Sequence, residues 1–146
     1  MSTAISIKKC KTGLAALWFT GSLGVFLILV IQSVLGKYGE RVDEAWGWFL
    51  PIVMPTLSLM VGVLVVDAVA PSEKADDKTG WFMFGLATVL STVYLVLVAL
   101  VPLIQPFTNV PTLDLMRRSN LWLGPLQGLV AGALGAFFIK GERRTK

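Results

Sequence analysis

The sequence contains no histidine and a single cysteine, Cys10. A disulfide needs two cysteines, and histidine supplies many zinc sites and much of general acid–base catalysis. Both absences exclude an intrachain disulfide and a histidine metal site. No arrangement of residues indicates an activated nucleophile or a positioned acid–base pair, so we expect neither a cofactor nor an enzymatic activity.

Charge is also scarce, which excludes a chain that folds around a core in water. Charged residues make up 15% and hydrophobic residues 55% of the 146 residues, whereas soluble domains have roughly 25% charged residues. The mean hydropathy is +0.73. We expect the lipid bilayer to be the main partner, and no nucleotide or nucleic-acid motif is evident.

Four long apolar stretches occupy more than half of the chain. They cover residues 14–35, 49–70, 81–104 and 121–139. Each has the roughly 20 residues that a helix needs to cross a hydrocarbon core about 30 Å thick. Membrane strands alternate in polarity, and residues 25–31 and 93–101 do not. The sequence therefore predicts an all-α, polytopic four-helix transmembrane bundle with short loops, formed by residues 1–146 as one domain.

Basic residues are distributed unequally between the two predicted sides of the membrane. Nine Lys and Arg residues fall on the side of the termini and the second loop, and four fall on the other side. The positive-inside rule then places both termini in the cytoplasm, which fits the inner membrane of a bacterium. The basic C-terminal residues are candidates for docking a cytoplasmic protein partner: Lys140, Arg143, Arg144 and Lys146.

Tryptophans and turn residues lie near the predicted helix ends. We expect the five tryptophans to anchor the helices at the membrane surface, with Trp18 about one turn inside the first helix. The alternative for residues 46–49 is an extracytoplasmic contact surface. Pro106 and Pro111 predict an interrupted third loop, and Ser119 with Asn120 predicts the N-cap of the fourth helix.

Small residues form a stripe along the predicted fourth helix. Gly124, Gly128, Ala131, Gly132 and Gly135 share an arc of about 100° on a helical wheel. In lipid, small residues favour helix association because two backbones can approach closely. The stripe therefore predicts a close helix contact, either with another helix of the same chain or with a second copy in a homo-oligomer.

Mildly polar side chains lie within the third and fourth predicted spans. Tyr94 lies near the centre of its span, and its hydroxyl needs a polar partner there. Ser91, Thr92 and Gln127 are the other candidates for lining a polar path. The alternative for the hydroxyls is a bond to their own helix carbonyls, and for Gln127 it is one interhelical hydrogen bond.

Asp67 is the one ionisable residue inside a predicted span. It lies about one turn before Pro71, where its carboxylate can reach water or pair with Lys74 or Lys78. The alternative is a cation or proton site at the cytoplasmic mouth of a pore.

These features support two hypotheses about function. The first is a small oligomeric channel-like or membrane-permeabilising component, based on the glycine stripe and the polar residues of the third and fourth spans. The alternative is a membrane anchor or sensor subunit that docks a cytoplasmic partner through its basic face.

Overall fold

The computed structural model of the protein describes residues 7–69 and 81–142, and it is all-helical within these ranges. The long helices are α1 (Ile7–Val34), α2 (Val42–Val69), α3 (Trp81–Leu103) and α4 (Thr112–Glu142). All four are long and apolar enough to cross a membrane. This confirms the predicted all-α class and the number of candidate spans. The starts predicted at residues 14 and 49 are wrong, because α1 and α2 continue as helices into less apolar sequence and begin at Ile7 and Val42.

The helices form a ring in which each packs mainly on two neighbours. α1 contacts α2 and α3, and α4 also contacts α2 and α3. Large side chains that are completely or almost completely buried fill the centre, among them Trp18, Leu29, Tyr94, Leu123 and Phe137. The outer surface carries many exposed aliphatic side chains, which suits a surface surrounded by lipid.

The connections α1–α2 and α3–α4 lie together at one end of the bundle, which we call the connection end. Residues of both line the same surface cleft. Gly36 and Gly39 have φ angles of +71° and +55°, so the first connection turns through two left-handed positions that favour glycine. A short 3-10 turn, Gly39–Arg41, then leads into α2.

The fourth helix begins at Thr112, so the N-cap predicted at Ser119 and Asn120 is wrong. Both residues lie inside α4, whose first turns start directly after Pro111. Proline is well tolerated at the beginning of a helix, and the carbonyl of Pro111 accepts the amides of Asp114 and Leu115, each at 3.1 Å. The third loop is correspondingly shorter than predicted.

Packing against α2 explains why these early turns of α4 are helical. Met116 and Ser119 are buried, and the Trp48 indole Nε1 donates a hydrogen bond to Ser119 Oγ at 3.0 Å. The Ser119 hydroxyl donates in turn to the Met116 carbonyl at 2.7 Å. The contact with Trp48, which is distant in the chain, therefore stabilises the first turns of α4. The length of the apolar stretch had not predicted that these turns are helical.

The structure revises the interpretation of several aromatic residues. Trp18 lies well inside α1 and is completely buried, so it is not a surface anchor. Trp48 and Phe49 are buried within the chain and are not free to form an external contact surface. Trp81 and Trp122 are exposed near the ends of their apolar segments, as the anchoring prediction requires.

One glycine allows the close approach of α1 to α3. A Cβ atom at Gly21 would lie 2.8 Å from Leu95 Cδ1, and Leu95 is itself buried. At Gly24, three residues further along α1, the same atom would meet nothing within 4 Å. The two glycines thus form a matched pair for testing the packing.

We predict that Gly21→Leu lowers the thermal stability of the detergent-solubilised protein, because overpacking a close contact costs about 1–3 kcal/mol. Gly24→Leu should leave the melting temperature nearly unchanged. Circular dichroism during heating measures both variants. Equal melting temperatures for Gly21→Leu and the native protein would contradict the α1–α3 packing described above.

Candidate functional site

Two exposed prolines create an unusual backbone site in α2, where this helix faces Gln127 of α4. Pro51 and Pro55 both lie within the helix. Pro55 has no amide hydrogen, so the carbonyl of Pro51 loses the donor that an α-helix would provide. In a membrane interior, an unsatisfied carbonyl is costly, because no bulk water is present to bond it.

Side chains from two other helices converge on this part of α2. Gln127 Nε2 donates to the Ile52 carbonyl at 3.0 Å and lies 3.5 Å from the Pro51 carbonyl oxygen. The Tyr94 hydroxyl also donates to the Ile52 carbonyl, at 3.3 Å. We call Tyr94, Gln127 and the carbonyls of Pro51 and Ile52 the polar node.

The polar node brings together the two residues that the sequence singled out for an interior polar path. The prediction that the Tyr94 hydroxyl needs a polar partner is confirmed by its bond to Ile52. Gln127 makes the interhelical hydrogen bond that was the alternative to lining a path. In this geometry both side chains tie α3 and α4 to α2.

A second group of polar atoms lies between α1 and α3. The indole of Trp18 and the hydroxyls of Ser22 and Ser91 are buried, and none has a hydrogen-bond partner among the described residues. The Trp18 ring packs beside the Tyr94 ring, with centroids 5.8 Å apart. Buried polar side chains are therefore found not only at the polar node but also on α1 and on the part of α3 that carries Ser91.

The four residues proposed for a polar path do not share one surface. Ser91 and Tyr94 are completely buried in the protomer. Thr92 is exposed on the outer side of α3, where its hydroxyl donates to the Thr88 carbonyl at 2.8 Å. For Thr92, this is the bond to its own helix that was the alternative to lining a path. Ser91, by contrast, makes no such bond.

The glycine stripe of α4 faces away from its own bundle. Gly124, Gly128, Ala131 and Gly132 are exposed, and Gly135 is half-buried. A Cβ atom added at any of the four glycines would meet nothing of the rest of the protomer within 4 Å. The core-facing side of α4 instead carries buried large residues: Leu123, Val130, Leu134 and Phe137. The stripe is therefore not the surface that packs α4 within the chain.

An ion-pair cluster lies at the connection end and was not anticipated from the sequence. Two nitrogens of Arg41 donate to the two carboxylate oxygens of Glu44, at 2.7 and 2.8 Å. Arg117 Nη2 lies 3.4 Å from the same carboxylate. Such exposed pairs contribute little to stability, about 0–1 kcal/mol. The cluster mainly orients the start of α2 against the early turns of α4.

Two sequence signals could have identified the missed interior residues. Leu14, Trp18, Ser22, Val25 and Leu29 recur at helical spacing and lie on one face of α1. The pair Pro51 and Pro55, four residues apart, marks a carbonyl without its helical donor. Together these patterns predict where α1 faces the core and where α2 needs external donors.

Several predicted residues cannot be placed by the structure. The side chains of Asp67 and Lys140 lie outside its description, as do Arg143, Arg144 and Lys146. The same holds for the second loop with Lys74 and Lys78. The assignments of these residues therefore remain predictions.

Comparisons with known proteins add no functional assignment. No protein-family model, curated protein or solved structure matches the chain. Within residues 7–69 and 81–142, no cluster of three His, Cys, Asp or Glu residues is arranged to hold a metal ion. What the described interior offers chemically is neutral hydrogen bonding by amide, phenol, indole and hydroxyl groups.

We predict that Gln127→Leu destabilises the protein by about 0.6–2 kcal/mol, the range for an interhelical hydrogen bond in a membrane protein. The replacement removes the donor to the Ile52 and Pro51 carbonyls and keeps a similar volume. Thr92→Val is the control, because the Thr92 hydroxyl bonds only within its own helix.

Unfolding of both variants in mixed micelles by a denaturing detergent measures the difference. A loss for Thr92→Val as large as that for Gln127→Leu would contradict a special role for the polar node. Combining Gln127→Leu with Tyr94→Phe should give non-additive losses, because both side chains bond the same carbonyl.

Proposed function

We propose that this protein is the subunit of a homo-oligomeric, channel-like or permeabilising component of the bacterial inner membrane, with both termini in the cytoplasm. The observation that carries the proposal is the outward-facing glycine stripe of α4. The orientation rests on the excess of basic residues at the termini and second loop.

The stripe has an energetic cost that no contact within the chain offsets. Glycine in a helix interior is less favourable than alanine by about 1 kcal/mol. A Cβ atom added at any of the four stripe glycines would meet nothing within 4 Å in the rest of the protomer. A second helix lying on the stripe would gain dispersion and Cα–H···O contacts at short backbone separation, which supports a contact between subunits.

The same geometry favours a path between subunits over a path through one protomer. Trp18 and Tyr94 fill the centre of the bundle, and Ser91 is also completely buried. Tyr94 and Gln127 use their hydrogen-bonding groups to hold α2, α3 and α4 together. In this proposal the core supplies a rigid wall, and subunit contacts at the α4 face decide whether a conducting opening forms.

We predict that Gly128→Leu disrupts the oligomer, because the new side chain separates the two backbones at the centre of the stripe. Gly62→Leu is the matched control, since Gly62 is also an exposed helical glycine, and a Cβ atom added there would meet nothing within 4 Å. Native mass spectrometry in detergent measures the oligomeric state, and planar-bilayer recordings measure conductance.

The native protein and Gly62→Leu should be oligomeric and conduct, and Gly128→Leu should be largely monomeric and silent. A monomeric native protein would overturn the proposal. Unchanged conductance of Gly128→Leu would show that conduction does not depend on the stripe, and it would also contradict the proposal.

The second candidate function is a membrane anchor or sensor subunit that binds a cytoplasmic protein. It is favoured by the early start of α1, which begins at Ile7 and presents Lys8 and Lys9 as exposed residues of a helical turn. If the chain crosses the membrane four times, we expect its two ends on the same side. The resulting face would attract an acidic protein surface or anionic lipids.

We predict, for this second function, that replacing Lys140, Arg143, Arg144 and Lys146 by glutamine abolishes co-purification of a cytoplasmic partner while membrane insertion is retained. Fractionation checks insertion, and affinity purification followed by mass spectrometry checks the partner. Replacing Lys37 and Arg118 at the connection end is the control for a general loss of positive charge. Unchanged co-purification in the C-terminal variant would exclude this docking surface.

A further inference from the structure

A surface cleft of about 460 Å³ opens at the connection end between the two short connections and the start of α4. We call it the outer cleft. Its polar lining comes from both connections and the start of α4: Lys37, Tyr38, Arg41, Gln105, Thr108, Asn109 and Thr112. Neither the glycine stripe nor the polar node contributes to it.

The charged groups that line the outer cleft are both cationic. No Asp or Glu is among its lining residues. Within the described chain, no carboxylate lies within 4 Å of the Lys37 ammonium, and partial withdrawal from water lowers the pKa of this group. Arg41 uses two of its nitrogens for Glu44 and retains further N–H donors.

The remaining polar lining carries no negative charge. Burial raises the pKa of Tyr38 to about 12, so its phenol stays neutral at physiological pH. The Tyr38 hydroxyl donates to Gln32 Oε1, which fixes the ring at the cleft wall. The side chains of Asn109 and Thr108 offer an amide and a hydroxyl.

The N-terminus of α4 also faces the outer cleft. Thr112 and Leu113, the first two residues of this 31-residue helix, belong to the lining. The amides of Thr112 and Leu113 have no intrahelical acceptor, whereas the Asp114 amide already bonds the Pro111 carbonyl. The helix dipole favours an anion beside the two free amides, and the Asp114 carboxylate of the same turn already acts on Arg41. The cleft therefore combines two cations and a helix N-terminus, the arrangement that suits a phosphate group.

An apolar rim beside the cleft indicates the source of that phosphate. Val34 and Leu35, just before Lys37, are 81% and 77% exposed, and Phe107, just before Thr108, is 86% exposed. All three are exposed apolar side chains that lie close in the chain to residues of the polar lining. A molecule that fills both regions has an anionic head and apolar chains.

We propose that the outer cleft binds the phosphate of an anionic phospholipid headgroup, with the acyl chains lying on the rim formed by Val34, Leu35 and Phe107. Lys37 and Arg41 contribute the charge, and the first turn of α4 contributes backbone donors. This inference does not depend on the proposed channel function, because the site is complete in one protomer.

The experiment uses the purified full-length protein in detergent and measures its melting temperature with added phosphatidylglycerol, phosphatidylcholine or inorganic phosphate. Phosphatidylglycerol should raise the melting temperature, and the other two additives should raise it much less. Native mass spectrometry should find phosphatidylglycerol retained on the native protein. Removing one charged contact typically weakens binding about tenfold, so Lys37→Gln and Arg41→Gln should each retain far less lipid.

Arg118→Gln is the matched control, because Arg118 is an exposed cation at the same end and does not line the cleft. It should retain phosphatidylglycerol as the native protein does. Lys37→Gln is the more selective variant, since Arg41 also pairs with Glu44.

Three results would overturn the proposal. If a Lys37→Gln, Arg41→Gln double variant retained as much phosphatidylglycerol as the native protein, the outer cleft would not be the binding site. An equal stabilisation by phosphatidylcholine would remove the requirement for an anion. If inorganic phosphate raised the melting temperature as much as phosphatidylglycerol does, the ligand would be a free phosphate ion and not a lipid.

Discussion

The carbonyl oxygen of Ile52 is the acceptor on which the interior of this bundle depends. Inside a membrane, each backbone polar group must find its partner within the protein. Pro55 removes the helical donor from the adjacent Pro51 carbonyl, and Gln127 and Tyr94 bring donors from two other helices to this point. The Ile52 carbonyl, next to the carbonyl that loses its donor, thus links α2 to both α3 and α4.

The four spans could be predicted because a long apolar stretch has few alternatives to a membrane helix. The start of α4 could not, since Pro111 and Asn120 both precede plausible helices. The choice depends on the burial of Met116 and Ser119 against α2. Spacing along the chain predicted that the glycines share one face of α4, but not whether this face points into or away from the bundle. Both the small-residue arc and the arc of Leu123, Val130 and Leu134 were compatible with facing the bundle.

The glycines show why residue type alone does not assign a role in a membrane helix. At Gly21 the absent side chain is needed, because Leu95 of α3 already occupies the space. At Gly128 the same absence leaves an open, smooth surface. Composition and spacing cannot distinguish a glycine that makes room for a neighbouring side chain from a glycine on an open surface. Only the position of the neighbouring helix does so, and it requires the three-dimensional arrangement.

The length of α4 has a mechanical consequence. Its early turns are clamped to α2 through Trp48 and Ser119, whereas most of the stripe lies beyond Pro125, which interrupts the helical hydrogen bonds. Helices bend most readily at such a proline. The segment beyond Pro125 is also held to the bundle, because Gln127 bonds the Ile52 carbonyl and both Leu134 and Phe137 are buried. The helix is thus fixed on both sides of the proline, so the protomer itself sets the angle at which a second copy would cross the stripe.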